Sequence, residues 1–299
     1  MLPTDRQIRE TYILDAVRSG RALIQWAPLV IEGDGHRLVL QVTGDAVRVD
    51  GVRVAVAPKV QQAMADALGV LPLTALVVDR IHQAAAPNVR AQPSGGWTGS
   101  PFQNQITYST AQMVEHSARV DRAIARAGAT GPLFSSVGKD WVLSNKAVPP
   151  VAANYGWLDQ AAPYKSVTGL PIWQQVGTRH NTDHGDYSQV ARFMRREATL
   201  DGQPVDLRDV LRGPLAKLVS HEGALMRLSL TGSGGSAMPP APQPTPTTPA
   251  TPKPATPVAP RPTPGPALGV ARDTPSAGGV VLLGGFMAML VAWFKRKKR

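Results

Sequence analysis

The chain has 299 residues, no cysteine, a net charge of +11 and 28 prolines, half of them between Pro239 and Pro275. The lack of cysteine excludes a disulfide framework, a thiolate nucleophile and a thiolate metal site. The charge does not read as a nucleic-acid footprint, because a run of cations from Lys295 to Arg299 supplies much of it and leaves the first 238 residues only mildly basic.

The proline distribution predicts one globular domain over 1–230, and the order of its predicted elements makes it α+β with a β-rich second half. A Pro/Thr-rich disordered linker over 231–276, a transmembrane helix over 277–294 and a basic tail over 295–299 follow it. In chain order, Asp5 opens an amphipathic helix to Ser19 carrying Ile8, Tyr12, Ile13, Ala16 and Val17. This segment has no apolar run of signal-peptide length. Trp26 to Ile31 and Arg37 to Thr43 read as strands bounded by Gly and Asp. Asp50-Gly51, between the alternating runs 46–49 and 52–56, predicts a type I′ hairpin turn. Pro58 opens a helix with Val60, Met64 and Leu68 on one face, and Thr74 caps another carrying Val77, Val78 and Ile81.

A loop rich in Pro, Gly, Ser and Asn covers 86–104, and Thr110 to Ala127 reads as a helix. Short strands are predicted at 141–144, 153–157, 172–176 and 187–194, then a helix at 210–219. Either one domain or two closely packed lobes, about 1–105 and 106–230, fits this pattern.

Residues capable of chemistry concentrate in the stretch Gly177 to Ser188, whose Asn, Thr, Asp and Gly content predicts a loop entering a strand. Here His180, His184 and Asp186 are ligand types for zinc, with His221 a further ligand and Glu222 a base. Alternatively His180 is a general base oriented by Asp186, with Ser188 or Ser136 as nucleophile. The plain structural alternative has these side chains satisfying backbone groups. Lys139-Asp140, just before a predicted strand, offers a proton donor beside a carboxylate, or a surface ion pair. Tyr155-Gly156-Trp157 and Trp173 offer either a sugar-stacking floor or core.

Thr178-x-His180 followed by Gly185-Asp186 resembles the Ser-x-His and terminal Asp of zinc peptidases that cut peptidoglycan cross-bridges. The spacing is one residue short, and the downstream Glu-x-x-His-type element is missing. The motifs Leu71-Pro72-Leu73-Thr74, Val78-Asp79, Gly138-Lys139-Asp140, Tyr155-Gly156-Trp157, Pro171-Ile172-Trp173-Gln174 and His180 with Asp186-Tyr187-Ser188 together resemble a group of uncharacterised bacterial proteins over 1–225. That resemblance implies one continuous domain and a site in the 180–188 stretch, and brings no activity with it.

Between Pro239 and Pro266 proline recurs every two or three residues, which predicts extended polyproline II reaching on the order of 80 to 90 Å. Ala277 to Phe294 carries no charge over 18 residues and ends with Trp293-Phe294 before the cations. The stalk, small residues, apolar run and basic end resemble bacterial C-terminal sorting tails, although no LPxTG-type pentapeptide precedes the run. The basic end predicts a cytoplasmic terminus with the domain outside, whereas an uncleaved tail anchor would leave the domain in the cytoplasm. Two functional expectations follow. One is a membrane-tethered cell-envelope hydrolase acting on peptidoglycan peptides; the other is a non-catalytic surface or virion binding module displayed on the stalk.

Overall fold

In the computed structural model, residues 1–94 and 108–232 are described. The expected stalk and the Ala277 to Phe294 membrane segment lie outside them. Among the described residues no helix is long and apolar enough to cross a membrane.

Helix α1 (Arg6–Arg18) starts where the Asp5 carboxylate accepts the Ile8 N–H at 2.9 Å. Strands β1 (Trp26–Gly33) and β2 (His36–Thr43) form a full antiparallel hairpin through Asp34-Gly35. Strands β3 (Arg48–Val49) and β4 (Val52–Arg53) meet at Asp50-Gly51, where φ values of 51° and 78° give the expected I′ turn. Helix α2 (Pro58–Leu68) has Pro at its first position, where the missing N–H costs nothing. After β5 (Leu71–Pro72), helix α3 (Ala75–Ala84) is capped by the Thr74 hydroxyl on Val77 N. Helix α4 (Thr110–Ala127) coincides with the predicted span and is capped by Ser109.

The second half carries β6 (Lys139–Val142), β7 (Val151–Leu158), β8 (Tyr164–Lys165), β9 (Pro171–Asn181), β10 (Gln189–Val190) and β11 (Phe193–Met194). The hairpin β12 (Glu197–Leu200) and β13 (Gln203–Asp206) follows, then α5 (Leu207–Arg212) and a 3-10 turn (Pro214–Leu218). The mixed α+β class with a sheet-rich later half is therefore as expected. The β12–β13 hairpin lies where the sequence reading had no element.

One sheet runs β13-β12-β2-β11-β5, with β1 on β2; another runs β10-β6-β7-β9-β8. The first takes strands from before residue 105 and after residue 106, so these residues do not divide into two lobes there. The main core joins Leu29, Leu38 and Leu40 of the first sheet to Val142, Ala153 and Tyr155 of the second, with Val77, Val78 and Ile81 of α3 packed among them. Asp79 is buried on that helix. It accepts hydrogen bonds from Tyr155 Oη, Ser166 Oγ and Thr168 Oγ1, each at 2.7 Å, and so ties the 164–170 turn to the core. A second cluster packs Ile13, Val54, Met64, Met113 and Phe193 between α1, α2 and the β3–β4 hairpin.

Candidate functional site

The sheet of β6, β7 and β9 has two unlike faces because strand side chains alternate. Asp140 pairs with Tyr155 across β6 and β7, and the two share one face. Lys139 pairs with Gly156, Trp141 with Asn154, Asn154 with Gly177, and Ala152 with His180, so these residues share the other face.

On that face the Lys139 ammonium lies 2.8 Å from Asp186 Oδ2 and 5.1 Å above the Trp157 ring. Asp186 Oδ1 accepts the Ser188 N–H at 2.8 Å and the Ser188 hydroxyl at 2.5 Å. Side-chain exposures of 12% for Lys139 and 6% for Asp186 make this an interior ion pair. Burial opposes a charge on Asp186, but the Lys139 cation and the Ser188 hydrogen bonds outweigh it and hold the carboxyl below its ordinary range. The His180 and His184 rings stack face to face, 3.8 Å between centroids and 15° apart. Both meet the Trp141 indole edge-on at 6.1 and 6.3 Å. Partial burial depresses both imidazoles; for His180 the His184 ring and Lys139 add to the effect, and for His184 Lys139 and Arg6 do. Among the described residues no hydrogen bond engages a ring nitrogen of either histidine.

Several expectations about these residues are corrected. The stretch from Gly177 is not one loop: it ends β9 as far as Asn181, and only Thr182 to Ser188 connects to β10. His180 is therefore held on a strand. Ser188 is fully buried and spends its proton on Asp186, so it is not a nucleophile activated by His180. Ser136 is buried and donates to the Leu158 carbonyl.

Zinc binding by His180, His184 and Asp186 does not fit this geometry. The lone pairs of two parallel rings run side by side rather than converging on one ion about 2.0–2.1 Å from each nitrogen. The Asp186 oxygens are already committed to Lys139 and Ser188, and among the described residues no three His, Asp or Glu side chains gather as a ligand set. Glu222 accepts from Ser144 Oγ at 2.6 Å and Asn145 N at 2.7 Å. The charged groups that act on His221 are Glu222, Lys146 and Asp79, not those around His180.

Lys139 and Asp140 do not pair either. Asp140 is 1% exposed, faces Arg192 at 3.5 Å, and is pushed up to about 6 by burial that the Arg192 charge only partly offsets. Tyr155, on the opposite face, donates to Asp79 and takes no part in a stacking floor, while the Trp157 ring lies beneath Lys139.

Two residues near this face have no signature in the sequence. His116 of α4 is 1% exposed, stands edge-on to Tyr187 at 5.3 Å, and is driven down to about 3 by burial, then by the Arg53 charge. Asn154, 1% exposed on β7, is the other. No protein-family model matches the chain, and neither a curated protein nor a solved structure does.

Proposed function

We propose that the domain is a hydrolase of cell-envelope amides that uses water as its nucleophile. His180, backed by His184, acts as general base; the Lys139 ammonium, fixed by Asp186, faces the charge that develops on the carbonyl oxygen. Water adds to the carbonyl carbon and gives a proton to the imidazole, which returns it to the departing amine. The observation that carries this reading is the pair of stacked, pKa-depressed imidazoles, whose ring nitrogens no described residue engages, beside a largely buried lysine–carboxylate pair. The proline-rich stretch and the uncharged run before the terminal cations, which the sequence predicts to be a stalk and a membrane segment, support an envelope substrate.

The test is incubation of the full-length chain with purified peptidoglycan peptides, with products identified by mass spectrometry as the parent plus water, split at an amide. His180→Ala should lower the rate by about 10²–10⁴ while leaving the melting temperature nearly unchanged. Because the imidazoles are depressed, activity should persist below the ordinary histidine range and fall only on further acidification. Equal rates for wild type and His180→Ala would sink the reading.

A display or binding module is the second reading. It is favoured by the closure of Lys139, Asp186 and Ser188 on one another, which also describes a purely structural bridge. Retention of the chain on insoluble envelope material with no product released would select it.

A further inference from the structure

Asn154 sits at the centre of the face that carries Lys139 and His180, yet its carboxamide is unused. It is 1% exposed, and neither Oδ1 nor Nδ2 has a hydrogen-bond partner. A buried amide left unpaired at both ends is destabilising, so the surroundings should show what compensates. Between Ala152/His180 and Asn154/Gly177, and again between Asn154/Gly177 and Gly156/Gln174, the pairing slips by one residue, with the extra residue in β9 each time. Two bulges thus bracket the Asn154–Gly177 pair, and bulges of this kind re-aim side chains beside functional sites.

The strand across from Asn154 is bare at that point. A Cβ on Gly177 would lie 2.6 Å from Asn154 Oδ1 and 2.9 Å from Gln174 Nε2. Three residues on, Trp157 adopts a left-handed φ of 60°, an outlier for a bulky side chain, and its buried indole Nε1 is also unpaired. Regular alternation would send this ring to the face of Tyr155; instead it lies under the Lys139 ammonium. One acceptor and two donor groups are therefore buried without partners beside this sheet, near the proposed catalytic groups.

We propose that Asn154, with the Trp157 indole N–H, forms a recognition subsite for a secondary amide of the substrate. Asn154 Nδ2 and Trp157 Nε1 donate to its carbonyl oxygen; Oδ1, which cannot also reach the N–H on the opposite edge of the same trans amide, accepts from a neighbouring donor of the ligand. The proposal deepens the hydrolase reading, on which it rests for the substrate class. The shared chemistry, –CO–NH–, occurs both in peptides and in acetamido sugars.

Calorimetric titration of the full-length chain in mild detergent separates these sources. An N-acetyl dipeptide amide and an N-acetylglucosamine trimer are the amide probes, and the ester analogue of the dipeptide and a glucose trimer are the amide-free controls. One amide probe should bind saturably and its control at least tenfold more weakly. Asn154→Leu should show the same tenfold loss, and so should Gly177→Ala, whose methyl group blocks the carboxamide from the neighbouring strand. The comparison of probe with control in wild type needs no variant, so it decides even if both substitutions unfold the chain. Binding of neither amide probe, or equal binding of a probe and its control, overturns the subsite. Amide binding without any hydrolysis would remove the hydrolase reading and leave the subsite standing, whereas hydrolysis with an unchanged KM in a folded Asn154→Leu would do the reverse.

Discussion

Lys139 and Asp140 show how neighbours in a sequence become strangers in a strand. Side chains i and i+1 of a strand face opposite ways, so a pair read as adjacent is divided between Asp186 on one face and Arg192 on the other. The period-2 rule was available from the sequence once Lys139 was placed inside a strand, but the partner of each residue was not, because Asp186 and Arg192 come from a later segment. The division sets the cost of substitution. Removing one member of a buried ion pair strands the other charge, which typically costs about 3–5 kcal/mol. Lys139→Met should therefore destabilise by roughly that amount in urea denaturation, and adding Asp186→Asn should recover more than half of the loss. Additive losses in the double variant would show that the two groups do not interact. For His180 and Asp186 the residue types were legible as site candidates, since such groups cluster in few other places along the chain. That Ser188 would be consumed by Asp186 was not, because it depends on which way one hydroxyl points.

Elements with local signals were readable, and those specified by distant partners were not. The caps at Asp5, Thr74 and Ser109 act on N–H groups three residues along, so each helix start was written next to the helix. Strand β9 was read at half its length, because the polar run from Gly177 to Asn181 lacks alternation; the bulges opposite β7 account for that. The β12–β13 hairpin does carry a local signal. Asp201-Gly202 repeats the Asp-Gly of the β3–β4 turn, with φ values of 51° and 83°. Asp201 also accepts the Arg37 N–H at 2.8 Å and meets His36 Nδ1 at 2.6 Å, which pins this turn beside the β1–β2 turn. At Gly202 a side chain meets nothing within 4 Å, so any cost of substitution comes from the left-handed backbone alone. Gly202→Ala should destabilise by about 1 kcal/mol, read as a lower urea midpoint with an unchanged m-value. A neutral result would mean the turn relaxes to another type.

At the scale of the whole molecule, charge counting along the sequence missed how many cations are internal. Arg9, Arg53 and Arg192 are all 1% exposed or less, and Arg53 joins Asp45 at 2.7 Å and Asp121 at 2.8 Å across the β3–β4 hairpin and α4. Buried titratable groups make stability depend on pH, with opposite signs at two of them. His116 has a folded pKa of about 3 against an ordinary 6.5, so the unfolded chain binds the proton more tightly. Its contribution is complete above pH 6.5 and is lost as pH falls toward 3. Asp140 is raised to about 6 from 3.8, so the folded chain holds that proton more tightly, and its contribution is lost as pH rises through about 6. The His116 window is wider, and Asp186, depressed by Lys139, has the same sign as His116. Acid destabilisation therefore wins. Urea midpoints measured between pH 3 and 7 should fall steadily below pH 6.5 in wild type and less steeply in His116→Leu, which keeps the apolar volume but cannot take up a proton on unfolding. Asp140→Asn should steepen the fall between pH 6 and 4, because it removes the opposing group. Parallel curves for wild type and His116→Leu would show that the imidazole does not sit neutral in the interior.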